Sequence, residues 1–159
     1  MLNKKIPLLF GLTALVVLSL PAAFAAQDAP WFDLEKCSMC MSMSAEEGLM
    51  EHMEWENYVV TNGMMSVTVV DPDYQEAFMR SMVAMEETGQ KLMTGEQMYL
   101  CGFCQSYGAI HMGGATFENI ETKFGYINLV TSDDPAMVKK IKEHAETTIA
   151  EYEKMWGEG

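Results

Sequence analysis

The four cysteines of this chain fall in two pairs, Cys37-Ser-Met-Cys40 and Cys101-Gly-Phe-Cys104, and the first pair runs into three thioethers, Met39, Met41 and Met43. Thiolate and thioether sulfur are the soft ligands that select Cu(I), zinc or an iron–sulfur cluster. Two Cys-x-x-Cys pairs brought to one point approximate a tetrahedron, which suits zinc, and Cu(I) also accepts such a set. In an oxidising compartment the same residues could instead close as disulfides that staple a binding domain. A third chemistry, thiol–disulfide exchange, is open to Cys-Gly-x-Cys ahead of a helix. The arrangement of the sulfurs discriminates: one convergent cluster favours a metal, two separate short-range pairs favour disulfide or redox work.

The methionines favour Cu(I) over zinc, because zinc rarely uses thioether. If the first segment is extended, Cys37, Met39, Met41 and Met43 point to one side. A plainer reading of that cluster is a flexible apolar loop that docks a partner. Two histidines are secondary ligand candidates. His111 shares a helical face with Cys101 and Cys104, and His52 stands beside Met53 as His111 stands beside Met112. A histidine at a helix end is more often an exposed partner of the helix dipole. His144 is expected on the surface. The expected site is therefore Cys37, Cys40, Cys101 and Cys104 with Met39, Met41, Met43, His52 and His111 around them, binding Cu(I) first and zinc second.

Other chemistries lack their residues. Attachment of c-type haem needs histidine directly after the second cysteine, where this chain has Met41 and Gln105. Gly-x-Ser-x-Gly, His-Glu-x-x-His, a phosphate loop and a glycine-rich nucleotide fingerprint are missing. Apart from the thiol–disulfide reading, no constellation argues for an enzyme.

The compartment is read from the N-terminus. Lys4 and Lys5, the apolar run Leu8 to Leu20, Pro21, and Ala23-Phe-Ala25 follow the plan of a secretory signal peptide over residues 1–25. The run is short for a membrane span. A periplasmic or secreted protein, soluble after cleavage, is the expectation. The formal charge is −13, and losing Lys4 and Lys5 with the leader makes it more negative. Such a surface repels nucleic acid and anionic lipid and favours cations or a basic protein partner, a metal donor among them.

The elements that must position the sulfurs repeat along the chain. Trp55-Glu56-Asn57 recurs as Phe117-Glu118-Asn119, Gly63 as Gly125, and Asp71-Pro72 as Asp134-Pro135, at nearly the spacing that separates the cysteine pairs. This predicts an α+β fold in residues 26–159: two ββα units, about 34–93 and 98–156, each headed by a Cys-x-x-Cys and short helix. The units share one antiparallel sheet with the long helices on one face. Ser44-Ala-Glu-Glu47 reads as a capping box opening a helix to about Met53. Tyr58-Val-Val60 and Val67–Val70 read as strands across Asn62-Gly63. A helix follows Asp71-Pro72, carrying Tyr74, Phe78, Met82 and Met85 on one face and stopping near Gly89. Residues 104–112 read as helix, and 117–121 and 126–130 as a second hairpin. The last helix carries an apolar stripe of Val138, Ile141, Ala145, Ile149 and Tyr152. Residues 26–33 and 157–159 are expected to fray.

Overall fold

A computed structural model describes residues 29–157. The signal peptide expected over residues 1–25 lies outside them. The fold is α+β. Its four strands, β1 (Met53–Val60), β2 (Gly63–Val70), β3 (Thr116–Thr122) and β4 (Gly125–Thr131), form one antiparallel sheet in the order β1-β2-β4-β3. Four helices accompany it: α1 (Met41–Ser44), α2 (Gln75–Met93), α3 (Gly102–Met112) and α4 (Pro135–Trp156).

Each hairpin turns on two residues, Thr61-Asn62 and Lys123-Phe124, and each return strand opens on glycine. The reason lies in the inner ladder between β2 and β4, where Gly63 faces Thr131 and Gly125 faces Val69. A Cβ on Gly63 would stand 1.9 Å from the Val130 carbonyl oxygen, and one on Gly125 would stand 2.0 Å from that of Thr68. Only glycine lets the two inner strands meet at both ends.

Met64 and Val70 lie six residues apart on β2 and so share a face. Met64 packs with Val130 of β4, Ile110 of α3, and Met137, Ile141 and Ala145 of α4. Val70 packs with Leu49 and with Phe78 of α2. Helix α4 therefore covers this side of the sheet, and Phe78 brings α2 to its Val70 end. Met65, Val67, Val69, Ile127 and Leu129 alternate to the other side.

Several expectations are corrected. No helix runs from Ser44 to Met53. The helical turn is Met41–Ser44, Gly48 then takes φ 76°, and Met53 is already strand. The Ser44 hydroxyl bonds back to the Leu34 and Met41 carbonyls instead of capping forward, and Met53-Glu-Trp-Glu-Asn57 alternates half-buried with exposed in strand fashion. Helix α2 passes through Gly89 to Met93 and closes on Gly95, at φ 91°, with Gly95 N–H donating to Leu92 O and Glu96 N–H to Lys91 O. On its expected stripe Phe78 is buried but Met82 is exposed; Ser81 is the other buried residue. The buried stripe of α4 is Met137, Ile141, His144, Ala145 and Thr148, so His144 faces the interior, not solvent. Asp134 caps this helix by accepting from Ala136 N–H.

Strand, strand and long helix do occur twice in order. The two long helices are nevertheless used differently: α4 lies along β1, β2 and β4, whereas α2 rests mainly on α1 and the turn at Pro72–Tyr74. Equivalence of two repeats is not carried by the packing. The N-terminal segment is docked rather than frayed from Pro30 on, since Gly102 N–H donates to Pro30 O and Phe103 N–H to Trp31 O.

Candidate metal centre

The two cysteine segments are laced together by backbone bonds. Ser38 N–H donates to Tyr99 O at 3.0 Å, next to both pairs. Cys37 accepts through its carbonyl from Met41 N–H, and Cys40 from Met43 N–H, which winds the first segment into a helical turn. Cys101 is the N-cap of α3 and Cys104 lies in its first turn. The free N–H groups and positive end of that helix favour thiolate there. The docked strap takes two of those N–H groups and needs Gly102: a Cβ there would stand 3.2 Å from the Trp31 ring and 3.3 Å from its Cα.

These constraints bring all four Sγ atoms within 4.8 Å of one another. Cys40 lies 3.7 Å from Cys101 and 3.5 Å from Cys104, sulfur to sulfur. A tetrahedral centre with metal–sulfur bonds of about 2.3 Å has sulfur edges of about 3.8 Å, so the spacing is that of one metal's ligand set. The four cysteines could hold a metal ion. All four are free thiols, and a sulfur separation of 3.5 Å is well beyond a disulfide bond of about 2.05 Å. Cys37 and Cys101 are fully buried, Cys40 nearly so, and Cys104 is half-buried. Leu34, Met39, Leu100 and Phe103 pack around it.

Protons are divided unequally among the sulfurs. Hydrogen bonds from Cys101, then Cys104 and Cys40, pull the Cys37 thiol far down, against burial, which pushes it up. The bond from Cys104 leads in lowering Cys101 to about 7. Cys40 is pushed up, first by its bond with Cys101, and Cys104 is pushed up by bonds with Cys101, Cys37 and Cys40, burial adding to both. Cys101 N–H supports the Cys37 sulfur, and Cys104 N–H the Cys101 sulfur. The thiolate form is thus favoured at Cys37 and Cys101 and the thiol at Cys40 and Cys104.

The other sequence candidates are dispersed. The helical turn at 41–44 breaks the straight row that an extended segment would give. Met39 stays against the cysteines, Met41 is exposed, and Met43 joins the Leu49–Val70–Phe78 cluster, where Ser81 donates to its sulfur at 3.1 Å. His52 pairs with Asp71 at 2.8 Å and stacks on Tyr74. His111 is exposed at the end of α3 beside Phe117. Neither histidine belongs to the convergent group.

Sequence reasoning missed the aromatic shell. Phe103, between the second pair of ligands, touches the rings of Trp31, Phe32, Trp55, Tyr107 and His144 at centroid distances of 4.9 to 6.4 Å. The signal was Trp31-Phe32, two large apolar rings in a segment read as frayed. Among the described residues no helix is long and apolar enough to cross a membrane. No family model, characterised protein or solved structure matches the chain.

Proposed function

We propose that this is an exported soft-metal-binding protein that carries or stores one ion, Cu(I) first and zinc second, on Cys37, Cys40, Cys101 and Cys104. One observation carries the reading: four sulfurs from two distant segments converge within 4.8 Å, three of the cysteines buried and the fourth half-buried. A largely buried thiolate cage of this kind retains a soft ion. Met39 against the cage, and the exposed Met41, Met79 and Met93, support Cu(I) as the preferred ion. Free vicinal thiols outside the cytoplasm oxidise unless a metal occupies them, which supports a loaded resting state.

The test is elemental analysis of the protein isolated from its native envelope, followed by anaerobic competition against Cu(I) and zinc chelators. One ion per chain is expected. The double change Cys37→Ser, Cys40→Ser removes half the cage and abolishes stoichiometric binding of both ions. Met39→Leu weakens Cu(I) and leaves zinc unchanged; equal loss of both ions would make Met39 a packing residue. Purification with two disulfides and no metal would sink the proposal in favour of a disulfide-stapled domain.

A further inference from the structure

The sheet has two unlike faces. The pairings Trp55↔Thr68, Met64↔Val130 and Phe117↔Val130 put odd positions of β1 and β3 with even positions of β2 and β4 on the helix side. Met64, Ser66, Val70 and Val130 on that side are buried, whereas no side chain of the opposite face is. The buried clusters of the described residues contain none of its side chains. A solvated face of an antiparallel sheet ordinarily turns polar. This one is apolar along its middle: Met65, Val67 and Val69 of β2 lie beside Ile127 and Leu129 of β4. Tyr58 of β1 and Ile120 of β3, 45% and 44% exposed, extend the patch to either flank. A contiguous apolar patch with a polar rim marks an interaction surface.

The rim carries one sign of charge. Glu54 and Glu56 stand exposed on the β1 margin and Glu118 on the β3 margin, and none of the four strands holds a lysine or arginine. Those margins are three strand spacings apart, about 14 Å. An α-helix is about 10 Å across, so one helix fits along β2 and β4 with carboxylates on both sides of it. Strands of this length run about 23 Å, the length of a helix of about 15 residues. A second copy of the chain fits worse. Whether β1 then lies over β1 or over β3, carboxylate margin meets carboxylate margin, and the chain already carries a formal charge of −13.

We propose that the bare face of the sheet docks an amphipathic helix of a basic protein partner. The apolar stripe of that helix lies on β2 and β4, and its flanking lysines or arginines stand over Glu54, Glu56 and Glu118. Burial of the stripe supplies affinity, and the two acidic margins set its orientation and select a basic helix over an acidic one. The surface uses no residue of the cysteine cage, so it stands or falls separately from the metal reading.

The experiment titrates the chain with a synthetic helical peptide of about 15 residues, a leucine stripe flanked by lysines. One control peptide carries glutamate for lysine, and another has the same residues with the stripe scrambled. In ¹H–¹³C methyl NMR the Met65, Val67, Ile127 and Leu129 signals should move and saturate at peptide concentrations on the order of 100 µM. Met64, Val130 and Ile141, packed on the other side, should stay in place. Val67→Lys, on the uncovered face, should weaken binding roughly tenfold or more. Glu54→Gln with Glu118→Gln should weaken it a few-fold and flatten its salt dependence. Bare-face signals that do not move, equal binding of the scrambled peptide, or unchanged affinity in Val67→Lys would overturn the site. Light scattering that finds the peptide-free chain dimeric, and monomeric in Val67→Lys, would give the face to a second copy and overturn helix docking.

Discussion

At the scale of single residues, the proton distribution in the cage makes metal binding pH-dependent. Cys40 and Cys104 hold their protons while Cys37 and Cys101 are biased to thiolate. An incoming ion must expel the protons that the thiols still hold, so affinity rises with pH. Chelator competition should show tighter binding at pH 8 than at pH 6, and a flat profile would contradict the proton assignment. His144 sets a second dependence. Its folded pKa of about 4 lies below the ordinary value of 6.5, so the unfolded chain binds a proton first as pH falls. Stability is full above about 6.5 and declines by about 3 kcal/mol on the way to about 4. Denaturant titration should show that decline in the wild type and lose it in His144→Phe. The cysteine pairing was legible from type and spacing alone. The places of Met41 and Met43 were not, because they depend on whether eight residues run straight or coil. His144 escaped because the expected stripe, although it ran through Ile141 and Ala145, was traced on apolar residues alone and passed over the polar His144 and Thr148.

At the scale of elements, the strand entries carry the tightest constraint. Gly63→Ala forces a methyl against the Val130 carbonyl and should cost about 3 kcal/mol. Gly108→Ala is the control: it sits inside α3 with nothing within 4 Å of its added Cβ, and should stabilise by about 0.5–1 kcal/mol. Thermal unfolding of the two variants should move in opposite directions. Hairpins and long helices were legible because turn glycines, Asp-Pro starts and apolar periods act locally. The segment 44–53 was misread because Ser44-Ala-Glu-Glu47 is a good local helix start overruled downstream. Gly48 turns the chain out of the helix, and the alternation from Met53 commits it to β1. Gly89 misled for the opposite reason: a helix interior tolerates one glycine, and the cap at Gly95 satisfies the last carbonyls.

At the scale of the whole molecule, an ion held by the four cysteines would act as a cross-link. Cys40 and Cys101 are 61 positions apart, and an ion between them closes that loop. By the chain-entropy argument used for disulfides, such closure is worth about 4 kcal/mol. Stripping the ion with a chelator should therefore lower the thermal midpoint by on the order of 10 °C, and the drop should vanish in the double serine variant. The shared antiparallel sheet was legible from the recurring features of the chain, whereas the unlike seating of α2 and α4 was not, since both helices carry amphipathic patterns. The aromatic shell brings in one more property. Trp31 and Trp55 touch Phe103 directly, and Trp156 reaches it through Phe32, so all three tryptophans of the chain join one network of rings around a residue between two ligands. Phe103 in turn packs against the cysteines, so the network of rings reaches the cage. An ion entering the cage should consequently register as a single change in tryptophan emission, completed at one ion per chain and reversed by a chelator, read without any added dye.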